Sequence, residues 1–224
     1  MSKDPSHLDF SKLVSPDRFS TYLNATDGEL IKARRLYVWN AELAGAWWGP
    51  ISLTEVVIRN SLNRQMAATY GDSWWHADPF PANAHTKGKV DEALYYLDKK
   101  NVLSPSSGDV VGASTFGLWT GLLHRANAQR LWRGNLEHVF SNDPGHSCSR
   151  GRAFELVTDV KRLRDKIAHH EPIFSEHHEQ MFRSLVLLLR HVDSEVSEYV
   201  DAASGLRSVI RARNEVLEHG DCSL

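Results

Sequence analysis

One short segment in the second half of the chain combines residue types that suit phosphate chemistry. Arg164 supplies a fixed cation, Asp165 a carboxylate, and His169 and His170 two imidazoles. Histidine exchanges protons near neutral pH because its unperturbed pKa is about 6.5. Arginine stays charged and binds phosphate oxygens through its planar guanidinium. By itself the segment allows two interpretations: a site that moves protons beside a bound phosphate, or a helix end capped by histidines with a surface arginine.

Helical spacing of apolar residues places this segment at the end of a helix of about residues 151–169. Pro172 is expected to stop the helix, because proline disfavours helical backbone in the residue before it. Both histidines then lie in the last turn, where the helix dipole favours a protonated imidazole. Asp165 and His169 are four residues apart, so the carboxylate is expected to hold and charge the ring. The apolar stripe that buries one face of this helix consists of Leu156, Val160, Leu163 and Ile167.

The same helical spacing recurs along the whole chain, and no segment alternates as a strand would, so the fold is predicted to be all-α. A long helix is expected from Asp27 to Trp47, with a break at Gly49–Pro50 and a second helix from Ile51 to Tyr70. Another long helix is expected from Ser175 to Ala203.

The chain length suits one large domain. Of the 224 residues, 42% are hydrophobic, which is enough to build a sizeable core if most of the chain folds. Residues 1–14 are predicted to be a flexible lead-in and residues 15–224 one all-α domain. A subdivision into 15–103 and 109–224 is the alternative, because a serine-rich linker separates these parts.

Charge is distributed unevenly along a nearly neutral chain. The net charge is −2, yet residues 125–166 hold nine basic and five acidic residues, a net of +4. Residues 167–224 hold five basic and ten acidic residues, a net of −5. This pattern argues against a generally basic surface and allows a confined site for a polyanion.

The remaining composition predicts an intracellular, cytoplasmic protein with no membrane partner. Cys148 and Cys222 have no metal-binding or redox spacing and are predicted to be free thiols. The N-terminus has no apolar signal core. The longest aliphatic run, Leu185 to Leu189, is too short to cross a bilayer.

Three segments together carry a resemblance to a known family. They are Thr54-Glu-Val-Val-Ile-Arg-Asn-Ser-Leu62, Ser114-Thr-Phe-Gly-Leu-Trp119 and Arg164-Asp-Lys-Ile-Ala-His-His170. In order and approximate spacing they resemble the Abi-like (abortive infection) proteins of the HEPN superfamily of α-helical ribonucleases, over roughly residues 20–200. The resemblance implies a HEPN-type helical bundle, here with an N-terminal helical extension.

The resemblance also implies a homodimer that cleaves RNA without a metal or other cofactor, in phage defence or as a toxin with an RNA or protein antitoxin. Arg164 and His169 match the invariant pair of the superfamily, and His170 matches a second histidine common in the Abi-like branch. Asp165 departs from the pattern, which most often has asparagine there, and adds a negative charge near the RNA phosphate.

RNA carries its own nucleophile, the 2′-hydroxyl. We expect His169 to be the general acid or base, Arg164 to bind the phosphate, and His170 to carry a second proton or orient the site. In a homodimer, a twofold axis would bring two sets of these residues together and so supply both an acid and a base.

Five further residues are predicted RNA contacts. One interpretation places Arg59 or Asn60 in the same cleft as the motif; the alternative is an ion pair between Glu55 and Arg59 that locks this helix against the motif helix. The other three, in or after the polar loop 141–152, are Arg150, Arg152 and Lys161.

Other interpretations of the sequence stay open. A non-catalytic RNA-binding or regulatory module with the same fold is the main alternative, and a helical scaffold whose histidines respond to pH is another. A metal site is conceivable but lacks ligand spacing within one helix, so a solvated turn is favoured. The residues that would form it are His169, His170, Glu171, His177, His178 and Glu179.

Overall fold

A computed structural model describes residues 4–77, 82–143, 145 and 147–222. These residues form eleven α-helices and no strand, which confirms the all-α prediction. No helix in these ranges is long and apolar enough to cross a membrane. The helices are α1 (Phe10–Leu13), α2 (Pro16–Asn24), α3 (Leu30–Tyr70), α4 (Ala84–Lys99), α5 (Ser107–Ala113), α6 (Phe116–Leu122), α7 (Arg150–Ala168), α8 (His178–Val192), α9 (Ser194–Ala203), α10 (Leu206–Arg211) and α11 (Arg213–His219).

The chain divides into two compact units that are interleaved in sequence. The first unit comprises Met1–Ile51, Leu163–Phe182 and Ala203–Leu224, and the second comprises Ser52–Arg162 and Arg183–Ala202. The chain passes between them within α3, α7 and α8 and at the last residue of α9. Each unit has its own set of buried apolar side chains.

The expected break at Gly49–Pro50 is wrong, because α3 runs without interruption for 41 residues and contains Pro50. Proline removes one helical hydrogen bond and usually kinks or ends a helix. Here the buried stripe continues through the proline with steps of three or four residues, so burial outweighs the local preference. The stripe includes Leu36, Asn40, Leu43, Trp47, Ile51, Thr54, Ile58 and Leu62.

The single helix expected from Ser175 to Ala203 is also wrong, because α8 ends at Val192 and α9 begins at Ser194. Asp193 lies between them, and its Oδ1 accepts a hydrogen bond of 3.0 Å from the backbone N–H of Val196. Aspartate at this position caps the first turn of the following helix and so starts a new one.

In the first unit, Arg35 ties the N-terminal segment to the C-terminal helix. Its guanidinium binds both carboxylate oxygens of Asp4, at 3.1 and 2.8 Å, and donates to the carbonyls of Leu217 and Glu218. The hydrogen bond from Arg35 lowers the pKa of Asp4 well below its usual range. Phe10 of the predicted lead-in is buried and stacks on Phe19.

In the second unit, a buried asparagine joins α4 to the chain that follows α6. Asn127 donates to the hydroxyl of Thr86 at 3.2 Å and to the carbonyl of Gly121 at 2.8 Å. Its side-chain oxygen accepts from the backbone N–H of Asn83 at 2.7 Å. Asn127 and Thr86 have no exposed surface, so this network fixes the orientation of α4 within the unit.

Candidate functional site

Helix α7 carries the motif and is anchored by the predicted stripe. All four apolar residues of the stripe are buried, from Leu156 at 1% exposed to Ile167 at 8%. The opposite side of the last two turns keeps Arg164, Asp165 and Lys166 half-exposed. The motif helix is therefore confirmed, with its polar residues reaching solvent.

The helix ends earlier than the position of Pro172 suggests. Its last residue is Ala168, so His169 and His170 lie in the turn beyond it and not in its last turn. His170 has a left-handed backbone, with φ of 55°. The N–H of His170 bonds to the carbonyl of Ile167 at 3.0 Å, and that of Glu171 bonds to Lys166 at 2.8 Å. This pair of bonds is the Schellman closure, which terminates a helix through a left-handed residue.

An arginine of α2 binds the backbone of this turn. Arg18 donates from Nη2 to the carbonyl oxygen of His170. A cation at the C-terminal end of a helix is favoured by the helix dipole. Arg18 also adds a second guanidinium beside the two histidines, a contribution that sequence spacing does not reveal because 152 residues separate the partners.

Buried side chains of α3 and α8 hold the rest of the turn. The side-chain oxygen of Asn40, a residue only 8% exposed, accepts from the backbone N–H groups of Ile173 at 2.8 Å and Phe174 at 3.0 Å. Lys166 forms an ion pair with Glu176 across the turn. These contacts give the segment after the histidines a defined path.

His178 completes this support and is a structural residue. The indole N–H of Trp47 donates to its Nδ1 at 3.0 Å, and its Nε2 lies 2.8 Å from the carbonyl of Ile173, to which it donates. Burial lowers the pKa of His178, which favours the neutral ring that this arrangement requires. Both ring nitrogens are thus engaged, and no group of three or more potential metal ligands occurs among the described residues.

Arg164 and Asp165 contact each other. Arg164 Nη1 lies 3.2 Å from Asp165 Oδ1, and the two side chains are 37% and 34% exposed. No hydrogen bond or ion pair joins Asp165 to His169 among the described residues, whereas the carboxylate does contact the adjacent guanidinium. His169 and His170 are exposed, and neither imidazole makes a hydrogen bond within the described part of the chain.

The five predicted RNA contacts belong to the second unit, whereas the motif residues belong to the first. Arg59 and Asn60 are both half-buried. The Nε of Arg59 is buried without a hydrogen-bond partner in the described ranges. Arg59 therefore stays a candidate for binding an anion, and the alternative ion pair with Glu55 stays a prediction.

The arginines that flank the start of α7 have structural partners. Arg150 donates to the carbonyl of Leu123 at 2.7 Å, beyond the end of α6, and Arg152 forms an ion pair with Glu155 at 2.9 Å. Lys161 is half-buried, and its stem passes close to Gly117 of the second motif segment. Two residues of the preceding loop, Pro144 and His146, lie outside the described residues.

The second motif segment, at the start of α6, also has a structural role. The indole N–H of Trp119 donates to the hydroxyl of Ser114 at 2.9 Å, and Trp119 has no exposed surface. Serine and tryptophan at this spacing therefore stabilise the entry into α6.

No protein-family model matches the chain, and neither does any curated protein or solved structure.

The residues that sequence analysis missed are those that support the turn from a distance. Arg18 gave no local signal, and His178 was considered only as a metal ligand. Asn40 did give a signal, because it is an amide on an otherwise mainly apolar stripe.

The left-handed backbone of His170 leads to a stability prediction. Substituting His170→Gly should raise the free energy of unfolding by about 0.5–1 kcal/mol, because glycine adopts positive φ without strain but loses some entropy on folding. Urea unfolding measures the change. The matched control is Ser175→Gly, an exposed residue of the same turn without positive φ, which should show no gain. Equal stability changes in the two variants would contradict a strained His170.

Proposed function

We propose that this protein is a metal-independent endoribonuclease of the HEPN type, with a HEPN-type bundle and an N-terminal helical extension. The observation that best supports the proposal is the pair of exposed histidines at the capped end of α7. Neither imidazole makes a hydrogen bond with a described residue, and Arg164 lies half-exposed five residues before His169. The sequence resemblance to Abi-like proteins supports the same function.

The proposed chemistry uses the 2′-hydroxyl of the RNA as nucleophile. A base removes its proton, and the oxygen attacks the adjacent phosphorus while the bond to the 5′-oxygen breaks and an acid protonates that oxygen. The products are a 2′,3′-cyclic phosphate and a 5′-hydroxyl. His169 carries a proton in this scheme, and Arg164 stabilises the charge on the phosphoryl oxygens. His170 or a second copy of the chain supplies the other proton carrier.

The contacts that hold the histidine-bearing turn in place fit a catalytic role for that turn. Proton transfer requires donors held in place, and the backbone of the turn is fixed by Arg18, Asn40 and His178 while its two imidazoles stay exposed. Arg18 adds a cation that can neutralise a second phosphate of the RNA.

The contact between Arg164 and Asp165 supports a second candidate function, a non-cleaving RNA-binding or regulatory module. A carboxylate 3.2 Å from the guanidinium competes with a phosphate for the same cation. In this alternative the turn binds RNA without transferring protons.

Incubation of the purified protein with labelled single-stranded RNA in EDTA separates the two functions. We expect fragments that end in a cyclic phosphate, because no metal is required for attack by the 2′-hydroxyl. A gel shift without fragments supports the binding module. The lack of both fragments and a gel shift would contradict both functions.

Toxicity on expression that is relieved by Arg164→Ala supports the further proposal of a defence effector or toxin, restrained by an RNA or protein antitoxin.

A further inference from the structure

Two tyrosines on the outer side of α4 are exposed without a role in the core. Tyr95 is 63% exposed and Tyr96 is 48% exposed. The buried side of the same helix is complete without them, since it consists of Thr86, Val90, Ala93 and Leu97. Neighbouring exposed aromatic rings are a common component of binding surfaces.

Each of the two tyrosines is paired with a lysine four residues later. The ammonium of Lys99 lies 5.2 Å from the centre of the Tyr95 ring, and that of Lys100 lies 4.6 Å from the Tyr96 ring. Residues four apart share a helix face, so the same ring-and-cation pair occurs twice, side by side. We call Tyr95, Tyr96, Lys99 and Lys100 the Tyr–Lys patch.

The two lysines of the patch keep their charge available. Earlier on α4, Lys89 is neutralised by Glu92, with 2.7 Å to the carboxylate. By contrast, neither Lys99 nor Lys100 forms an ion pair with any described residue, and both are exposed. The remaining carboxylates of α4 are Asp91 and Asp98, both exposed.

We propose that the Tyr–Lys patch binds single-stranded RNA, with bases stacked on the tyrosine rings and phosphates held by the lysines. Successive helix residues point about 100° apart, so the two rings would take bases that are splayed and not stacked on each other. Sequence-tolerant binding of single strands combines aromatic platforms with cations in this way. A duplex is a poor ligand, because its bases are already stacked.

The charge of the patch favours RNA over a protein partner. Two adjacent cations without an ion pair among the described residues match consecutive phosphates of a polyanion. The inference rests on the proposed function in one respect. RNA is named as the bound polymer because an RNA-directed protein is expected to meet single strands. The patch lies wholly within the second unit, so it would act as a docking surface and not as a proton donor.

Fluorescence anisotropy with a uniform 2′-O-methyl uridine 12-mer tests the inference on the full chain. The 2′-O-methyl group blocks cleavage by 2′-hydroxyl attack, so binding is measured separately from catalysis. The double variant Tyr95→Leu with Tyr96→Leu should weaken binding about 10- to 100-fold. The double variant Tyr95→Phe with Tyr96→Phe keeps the rings and should bind within about threefold of the parent.

Charge and position are tested separately. Lys99→Gln with Lys100→Gln should reduce the slope of log K against log salt by about 1.4, since each phosphate contact contributes about 0.7 for single strands. The matched control is Tyr199→Leu, which removes a tyrosine that is 65% exposed on α9 and has no lysine four residues later. This control should bind like the parent.

Two outcomes would overturn the inference: unchanged affinity in the Tyr95→Leu, Tyr96→Leu variant, or an equal loss of affinity for a duplex of the same length. Failure of the proposed function looks different. If RNA is never cut but the patch variants lose affinity, the docking surface stands and the nuclease proposal fails. If cleavage depends on His169 but the patch variants bind normally, only the docking surface fails.

Discussion

Replacing His169 with alanine is expected to abolish RNA cleavage, with a loss of about 10³-fold or more if this ring is the general acid or base. The fold should survive, because the imidazole is exposed and makes no hydrogen bond within the described residues. The backbone N–H of His169, which bonds to the carbonyl of Asp165 at 3.0 Å, is unaffected by the substitution. Cleavage is measured by the rate at which cyclic-phosphate ends appear on a labelled single strand.

His177→Ala is the matched control for this variant. His177 is exposed in the same turn and lies outside the motif, so its removal should leave the cleavage rate within about twofold, as for a surface group that contacts no reacting atom. Circular dichroism and the oligomeric state should be the same for both variants and the parent. Full cleavage by His169→Ala would contradict the assignment, and equal losses in the two variants would indicate a general effect on the turn.

The helices themselves could be predicted well from periodicity, because apolar spacing reports burial directly. The stripe of α7 was placed correctly, and its four residues are buried. Prediction failed where a local signal competes with packing. Gly49 and Pro50 are strong breakers in a short window, yet α3 continues through them because the buried stripe on both sides is continuous.

The candidate site shows a different limit of sequence analysis. Arg164, Asp165, His169 and His170 are neighbours in sequence, so their presence at one helix end was predictable. Which of them contact each other was not, because the choice of Asp165 between Arg164 and His169 depends on side-chain rotamers at the end of the helix. The support from Arg18 spans 152 residues and follows only from the tertiary fold.

Asn40 is the supporting residue whose loss should have the largest effect on stability. Substituting Asn40→Ala leaves the backbone N–H groups of Ile173 and Phe174 without their acceptor. A buried donor that loses its partner costs about 1–3 kcal/mol, so the two together should lower the free energy of unfolding by about 3 kcal/mol. Asn40 is 8% exposed, so water cannot readily replace the lost acceptor. Urea unfolding gives the change in free energy.

Local opening should accompany this loss of stability. Amide hydrogen exchange in residues 171–177 should speed up more than in α4 of the second unit, because Asn40 holds that turn directly. The matched control is Asn24→Ala, which removes an exposed asparagine from the end of α2 and should change stability by less than about 0.5 kcal/mol. If Asn40→Ala were as stable as Asn24→Ala, the turn would have to be held by Arg18 and His178 alone.

Cleavage should fall in Asn40→Ala even where the protein is still folded, because the histidines then lack a fixed backbone.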